Sequence, residues 1–193
     1  MKFFRFLPIV LGFTLIMFAY APAQANIVKT AKSQSTVAVA TATPDWFDWF
    51  SISLTDVRTG KAFTMNDYAG KVVLLETMAI WCPNCILQAG QVQKLHRVLG
   101  NPEDLISVTL DVDSNEDEAM LKKYVDEWSL DWHFAVAPLL IERALGNLYS
   151  AEYLNPPLSP MLIIDRGGNV HQLEYGLKDV ETLQKIVTPY LAK

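Results

Sequence analysis

The sequence predicts an α/β domain, in which a central mixed β-sheet is flanked by helices and preceded by a β-hairpin. Two unbroken apolar runs, one opening at Lys71 and one covering 105–112, are typical of strands that are covered on both faces. Segments with helical spacing of apolar residues follow both runs, and a hairpin and a last helix close the chain. This order of elements indicates a mixed sheet between layers of helices.

The composition is that of one globular domain. Of the 193 residues, 51% are hydrophobic and 19% are charged, which excludes disordered and collagen-like proteins. The formal net charge of −5 argues against nucleic acid or anionic lipid as the main partner. The chain has only two cysteines, three positions apart, which excludes a disulfide scaffold and a metal site with four thiolates.

The first 25 residues have the pattern of a secretory signal. Lys2 and Arg5 precede an apolar stretch that ends in the small-x-small sequence 23–25, which predicts cleavage after Ala25. The alternative is an uncleaved membrane anchor, since the uncharged stretch is nearly long enough to span a bilayer. Both interpretations place the folded part outside the cytoplasm. Residues 26–44 are predicted to form a flexible linker, and 45–193 the folded domain.

An aromatic cluster opens the domain, with Trp46, Phe47, Trp49 and Phe50 in six residues. Such clusters occur at membrane interfaces and at partner surfaces. Buried aromatic side chains mostly serve packing, so we expect these residues to cover the sheet edge beside the first strand.

The other elements follow from turn and capping signals. They are a hairpin of Ser51–Leu54 and Ala62–Met65, a helix from the cysteines to about Leu99, a helix capped by Ser114 and running through Trp128, a strand at His133–Ala137, a helix at Leu139–Leu148, a hairpin of Pro160–Asp165 and Val170–Tyr175, and a helix capped by Asp179 and ending near Leu191.

Cys82 and Cys85 lie where the first buried strand ends and a helix begins. Functional sites of open α/β sheets form at the carboxyl ends of strands. With Cys82 at the N-cap and Pro83 at the first helical position, free amides and the helix dipole stabilise a thiolate. Cys85 lies one turn along the same face and can close a local disulfide. We therefore expect Cys82 to be the exposed attacking sulfur and Cys85 to resolve the mixed disulfide.

Three other interpretations of the cysteine pair are weaker. A zinc site needs more ligands, and the three histidines are far apart in the sequence. A structural disulfide that closes so short a loop adds little stability. Two unrelated buried thiols are not expected at a strand-to-helix junction. In an exported chain with no other cysteine, the pair indicates redox chemistry.

Glu76 interrupts the apolar run six residues before Cys82. An unpaired carboxylate inside a buried strand is costly, so burial is expected to raise its pKa and make it a proton carrier. We expect Glu76 to lie behind the disulfide and to take the proton of Cys85. The alternative is an open strand end at which Glu76 is simply solvated.

Three segments carry a resemblance to a known family. The segment 70–85 (GKVVLLETMAIWCPNC), the hairpin 53–71 (SLTDVRTGKAFTMNDYAGK) and the segment 159–170 (SPMLIIDRGGNV) resemble the thioredoxin fold, and more closely the exported or membrane-associated thiol–disulfide oxidoreductases of the TlpA/ResA type. The resemblance covers about 50–192. Its most specific parts are Trp-Cys-x-x-Cys and the strand that follows Pro160.

The resemblance implies a thioredoxin-like fold and roles for further residues. Pro160 is expected to be cis and to face the disulfide, and Glu76 falls where thioredoxins carry a buried acid. Ser159 is expected to offer backbone groups to a bound substrate chain. The other residues expected to contact the substrate are the neighbours of the cysteines, Trp81, Pro83 and Asn84.

The chain also departs from the family pattern. Residues 77–80 (TMAI) replace the usual Phe-Trp-Ala-Thr, and Gln88 and Gly90 replace a glutamate and a proline. Leu158-Ser159 precedes Pro160 in place of Gly-Val or Gly-Ile. These changes leave the substrate open, so that cytochrome c maturation is one candidate among several.

Two weaker signals are assigned no catalytic role. The run Asp111-x-Asp113-x-Asn115-x-Asp117 resembles a calcium loop, but Glu116 and Lys122 stand where such a loop has glycine and glutamate. A strand end followed by an acidic helix start explains the run better. His96 and His133 are interpreted as surface or packing residues, and His171 is given no function.

Taken together, these features predict an exported thiol–disulfide oxidoreductase, more reductant than oxidant. Its partners are expected to be protein thiols and disulfides and a membrane redox protein that supplies electrons. Neither a metal nor a dissociable cofactor is expected. The alternative is a binding protein, either a metallochaperone that holds copper through the cysteines or an assembly subunit of a respiratory complex.

Overall fold

The structure is a computed structural model, and it describes residues 45–192, with side chains from residue 48 onward. The predicted signal peptide 1–25 and linker 26–44 lie outside the described residues, as do the side chains of Trp46 and Phe47. Within the described part of the chain, none of the helices has both the length and the apolar character needed to cross a membrane.

Seven strands and four α-helices make up the described domain. They are β1 (Leu54–Asp56), β2 (Lys61–Phe63), β3 (Val72–Met78), α1 (Pro83–Leu99), β4 (Leu105–Asp111), α2 (Glu118–Glu127), β5 (His133–Val136), α3 (Leu139–Leu148), β6 (Met161–Ile164), β7 (Val170–Gln172) and α4 (Val180–Leu191). Short 3₁₀ helices lie at Asp45–Ser51, Met65–Tyr68, Ala151–Leu154 and Pro156–Leu158.

Five of these strands form one mixed sheet in the order β5-β4-β3-β6-β7. β3 is parallel to β4, and β4 to β5, whereas β6 runs antiparallel to both β3 and β7. β1 and β2 pair separately as an antiparallel hairpin, with strands shorter than expected and shifted along the chain. The predicted fold class, a mixed sheet flanked by helices with a hairpin in front, is confirmed.

The central strand β3 separates two cores. All seven of its residues are buried, as its unbroken apolar run predicts. Val72, Leu74 and Met78 belong to a first core that includes side chains of α1, α2 and α4. Val73 and Leu75 belong to a second core with α3 and the hairpin. Because side chains alternate along a strand, Glu76 points to the first core, which also contains both cysteines.

The ends of the helices show where local signals were sufficient. α1 ends at Gly100, whose φ of 71° is a left-handed conformation that favours glycine. Asp179 caps α4 as expected, by accepting a hydrogen bond from the Thr182 amide. The prediction that Ser114 caps α2 is wrong, since the cap is Asp117, which accepts from the Met120 amide. Residues before Asp117 form a turn closed by a hydrogen bond from the Glu116 amide to the Asp113 carbonyl.

Trp49 shows what the aromatic segment does. It is 2% exposed and belongs to the second core. Its indole Nε1 donates to the hydroxyl of Tyr149 at 3.1 Å, just beyond the end of α3. The packing role is therefore correct for Trp49, but its polar partner is Tyr149 rather than a group on a sheet edge.

Candidate active site

The cysteine pair lies at the junction of β3 and α1. Cys82 is the N-cap of α1 with an extended backbone, and Pro83 is its first residue. The Cys85 amide donates to Cys82 Sγ at 3.3 Å, which is a capping interaction made by sulfur. The two cysteines form a disulfide, with their Cα atoms 5.3 Å apart. The local geometry expected from the sequence is confirmed.

The expectation that Cys82 is exposed is wrong for this oxidised state. Cys82 is 1% exposed and Cys85 is 2% exposed, whereas the neighbouring Trp81 is 57% exposed. A segment spanning 155–160 packs against the start of α1. Asn84 Nδ2 donates to the Pro157 carbonyl at 2.8 Å, and Cys85 Sγ lies 3.6 Å from the carbonyl oxygen of Pro156. This segment, which we call the proline segment, lies against Cys85 Sγ.

The proline segment is held in place by β3 and β6. Thr77 Oγ1 donates to the carbonyl of Tyr153 at 2.6 Å, and the Tyr153 hydroxyl donates to the Met161 carbonyl at 3.2 Å. The Thr77 amide donates to the carbonyl of Pro160 at 3.3 Å. Thr77, a departure from the family pattern, thus fixes the chain just before the proline segment.

Pro160 lies buried before β6, but its expected cis peptide bond is wrong, because no peptide bond among residues 45–192 is cis. The chain turns instead at Ser159, whose φ of 47° and ψ of 55° are left-handed. The Ser159 amide donates to the Pro156 carbonyl at 2.8 Å, so this N–H is used inside the protein. The Ser159 hydroxyl is buried without a hydrogen-bond partner.

Glu76 is buried, which removes the solvated alternative. It is 2% exposed, and neither of its carboxyl oxygens has a hydrogen-bond partner. It pairs with Thr109 of β4 on one side and with Met161 of β6 on the other. Burial raises the pKa of Glu76 to about 8, and the charge of Lys178 partly opposes that shift. A carboxyl group with such a pKa exchanges protons near neutral pH.

Gln88 and Lys178 are site residues that sequence reasoning missed. Gln88 is fully buried and Lys178 is 6% exposed. The Lys178 ammonium donates to the Gly176 carbonyl at 2.8 Å, and the Gly176 amide donates to the Leu158 carbonyl at 2.7 Å, which ties this loop to the proline segment. The only signal in the sequence was a polar residue, Gln88, one turn after Cys85 on the apolar stripe of α1.

The acidic run after β4 holds the residues in front of Cys82. The Ile80 amide donates to Glu116 Oε2 at 2.8 Å, and the Trp81 indole donates to Asp113 Oδ2 at 2.6 Å. The hydrogen bonds from Asn115 and Trp81 lower the pKa of Asp113. The sequence predicts this run as a strand end followed by an acidic helix start, and it does not predict these contacts, because residues 32 and 36 positions apart leave no local pattern.

The histidines lie outside this site. His96 is hydrogen-bonded to Ser107 at 2.8 Å, and burial lowers its pKa. His133 is bonded to Tyr68 at 3.0 Å, and His171 pairs with Asp165 at 2.8 Å.

Comparison with known proteins supports the resemblance. No protein-family model matches the chain. The sequence is similar to the thiol-disulfide oxidoreductase ResA of Halalkalibacterium halodurans, with 24% identity over 132 residues, which are 67% of this chain and 70% of ResA.

Two solved structures share the fold. One is a thiol:disulfide interchange protein of the thioredoxin family from Chlorobium tepidum TLS, with a TM-score of 0.59 and 19% identity over 73% of this chain and 93% of that one. The other is a secreted disulfide oxidoreductase of Mycobacterium tuberculosis that is homologous to DsbE, with a TM-score of 0.55 and 16% identity over 72% and 96% of the two chains. The chain thus has the thioredoxin fold, and its sequence and cysteine pair resemble those of thioredoxin-family thiol–disulfide oxidoreductases.

Proposed function

We propose that this protein is an exported thiol–disulfide oxidoreductase that reduces disulfides of other proteins through Cys82 and Cys85. The observation that carries the proposal is the disulfide at the start of α1, with a buried carboxyl group on the strand that leads to it. Such a pair performs dithiol–disulfide exchange with no further cofactor.

Cys82 is the proposed nucleophile because of its place at the helix N-cap. In the reduced protein its thiolate is stabilised by the Cys85 amide and by the helix dipole. It attacks one sulfur of a substrate disulfide, so that a mixed disulfide forms and the other substrate sulfur leaves as a thiolate. Trp81, Pro83 and Asn84 adjoin the cysteines in the sequence and are the proposed substrate contacts. Ser159 is the other proposed contact, and because it is buried with its amide bonded to Pro156, the proline segment has to move before it can bind a substrate.

Cys85 completes the exchange. Its thiol loses a proton to ionised Glu76, and the resulting thiolate attacks Cys82 Sγ. This step forms the Cys82–Cys85 disulfide and releases the second substrate sulfur. The substrate gains two electrons and the protein loses them, while the two cysteine protons end on the substrate thiols or in solvent. A membrane dithiol protein is the proposed electron donor that restores the reduced pair.

The buried carboxyl group supports the reducing direction. Above its pKa of about 8, Glu76 is negatively charged and disfavours a thiolate on the same side of the sheet, and therefore disfavours the reduced, partly ionised form of the pair. A pair whose reduced form is less stable has a lower reduction potential and gives up electrons more readily. Pro160, which closes the proline segment beside the pair, is a proposed positioning residue for the bound substrate.

Export is proposed from the first 25 residues. Their basic start, apolar core and small-x-small end match a secretory signal, either cleaved after Ala25 or kept as a membrane tether. A periplasmic or outer membrane-surface location fits a redox-active disulfide, since cytosolic thiols are kept reduced. The described relatives include a secreted oxidoreductase, which is consistent with this location.

The test of direction is the reduction potential of the pair, measured by equilibration against glutathione and then dithiothreitol. A value near or below about −250 mV supports the reductant, and one near about −120 mV identifies an oxidant that installs disulfides. A pair that fails to cycle, in a protein that keeps one copper ion until either cysteine is changed, supports the metallochaperone alternative.

The test of mechanism uses two matched variants. Cys85→Ser is expected to accumulate a mixed disulfide with a disulfide-containing peptide, because Cys82 still attacks and nothing resolves the adduct. Cys82→Ser is expected to form none and to lose exchange activity while it stays folded. Exchange at the wild-type rate in Cys82→Ser would overturn the proposal.

A further inference from the structure

Asp111 is a second buried acid beside the site, and the proposed mechanism does not use it. It is the last residue of β4, lies opposite Met78 at the end of β3, and is fully buried. Its Oδ1 accepts a hydrogen bond from the Asp113 amide at 3.0 Å, and its Oδ2 has no N–H or backbone partner. One oxygen of a buried carboxyl group is therefore left to another kind of contact.

That contact is the side chain of Glu116. Burial raises the pKa of Asp111 to about 8, and a side-chain hydrogen bond with Glu116 contributes to the rise. Two carboxyl groups can hydrogen-bond only when one of them keeps its proton. Among the ion pairs of residues 45–192, none brings a lysine or an arginine to Asp111, Asp113 or Glu116.

Asp111 and Glu116 are connected by hydrogen bonds to the two residues that precede Cys82. The same Glu116 side chain accepts the Ile80 amide through Oε2 at 2.8 Å. Asp113, which is held by Asp111, accepts the Trp81 indole at 2.6 Å. The loop after β4 thus accepts hydrogen bonds from both residues that come immediately before Cys82. The contact between Asp111 and Glu116 stabilises that loop.

We propose that buried Asp111 keeps a proton that it donates to the Glu116 side chain, and that this proton holds Ile80 and Trp81 in place in front of Cys82. Loss of the proton leaves two adjacent carboxylates, which repel each other and the nearby Asp113. Glu116 then moves away, the Ile80 amide loses its acceptor, and Trp81 changes its surroundings. Asp111 and Glu116 are positioning residues, because neither touches the sulfurs.

Other titratable groups face the pair and have to be separated from it. Asp113 lies in the same loop and is ionised in the neutral range, because hydrogen bonds lower its pKa. Tyr124 of α2 is close to Glu116 and, from the side of β3, to Glu76, and burial raises its pKa well above the neutral range. Glu76 itself titrates near pH 8, as Asp111 does. The titration is therefore made on the oxidised Glu76→Gln protein. The substitution removes the carboxyl group of Glu76, and the disulfide leaves no thiol to titrate.

The experiment is a pH titration, from 6 to 10, of oxidised Glu76→Gln protein labelled with 5-fluorotryptophan and followed by ¹⁹F NMR. The Trp81 resonance is assigned by its loss in Trp81→Phe, and exposed Trp128 serves as the internal reference. We expect the Trp81 resonance to shift with a midpoint near pH 8. Adding Asp111→Asn is expected to abolish the transition, since an amide still donates to Glu116 but has no proton to lose.

Two further variants make the outcome decisive. Adding Glu116→Gln is expected to move the midpoint to lower pH, because the amide donates to Asp111 and stabilises its charge. Adding Asp126→Asn, which removes an exposed acid of α2, is the control and is expected to leave the midpoint unchanged. A flat Trp81 titration in the Glu76→Gln protein overturns the inference even where Asp111→Asn folds poorly. A midpoint near pH 8 that survives Asp111→Asn does the same.

The inference rests on the proposed function for its meaning but not for its test. The titration needs no substrate and no electron transfer, so the proton on Asp111 can be established in a protein with no exchange activity. Conversely, a flat titration leaves the exchange chemistry of Cys82 and Cys85 untouched.

Discussion

Gln88 holds the backbone of Lys178 from both sides. Its Oε1 accepts the Lys178 amide at 2.8 Å, and its Nε2 donates to the Lys178 carbonyl at 3.1 Å. Gln88 and Lys178 are both buried, so these two hydrogen bonds are shielded from water. They join α1, one turn after Cys85, to the loop before α4. The contact brings the lysine charge into the field of Glu76, where it partly offsets the effect of burial.

Lys178→Met is therefore expected to raise the pKa of Glu76 above its value of about 8. The reason is that the substitution removes the nearby positive charge that favours the ionised carboxyl group. The measurement is a ¹³C NMR titration of the Glu76 side-chain carboxyl group in the oxidised protein. Lys185→Met, an exposed lysine on α4, is the control that leaves the pKa unchanged. An unchanged Glu76 pKa in Lys178→Met would mean that the lysine charge is screened from the carboxyl group.

Glu76→Gln is expected to change the pH dependence of stability. The folded pKa of about 8 lies above the usual glutamate pKa of 4.5, so the folded state binds the proton more tightly. The wild type is thus most stable, as far as this group is concerned, below pH 4.5, and loses stability as the pH rises towards 8. We measure the free energy of unfolding in urea at pH 5 and at pH 8. Relative to the wild type, the free energy of unfolding of Glu76→Gln is expected to be higher at pH 8 than at pH 5 by about a few kcal/mol. Glu127→Gln, at an exposed position, serves as control. If the free energy of unfolding changes with pH equally in Glu76→Gln and in the wild type, the raised pKa of Glu76 is contradicted.

The same Glu76→Gln variant is expected to slow the resolution of the mixed disulfide by about 10- to 100-fold at pH 7, near the lower end of what a general base contributes. Single-turnover kinetics with a disulfide-containing peptide separate this step from the first attack, which is expected to keep its rate. Slowing of the first step alone would mean that Glu76 acts on Cys82 and not on Cys85.

Asn84→Ala is expected to loosen the proline segment beside the disulfide, because the hydrogen bond from Asn84 to the Pro157 carbonyl is lost. One such bond contributes about 1 kcal/mol, so reduction by dithiothreitol is expected to be about 2- to 10-fold faster. Asn147→Ala, which loses an equivalent bond to the Arg143 carbonyl in α3, is the matched control. If reduction of the disulfide and oxidation of the dithiol are accelerated equally, access to the sulfurs has improved. If the ratio of the two rates changes, the reduction potential has changed.

Tyr149→Phe is expected to lower the free energy of unfolding by about 1–3 kcal/mol, because it leaves the buried Trp49 indole N–H without its acceptor. Chemical denaturation measures the effect. Tyr175→Phe, at a 42% exposed tyrosine, is expected to change stability little. Equal stabilities for Tyr149→Phe and wild type would show that water replaces the tyrosine hydroxyl.

Much of the fold was predictable because the signals are local. α3 was predicted at its observed bounds, and α1 was predicted from its proline start and glycine end. The cap of α2 was missed because Ser114 and Asp117 are both good capping residues, and only the turn closed by Glu116 and Asp113 decides between them. The predicted exposure of Cys82 was also wrong, because the residue is buried in the first core, whose members come from distant parts of the chain.

By itself, the sequence determined where the cysteine pair lies. The spacing of Cys82 and Cys85, the proline between them and the apolar strand before them are local features, and local backbone geometry converts them directly into a disulfide at a helix start. Only the tertiary structure decided how those residues are tuned. Gln88 and Lys178 meet although they are 90 residues apart in the sequence. The raised pKa values of Glu76 and Asp111 depend on burial, which arises only when the helices close over the sheet.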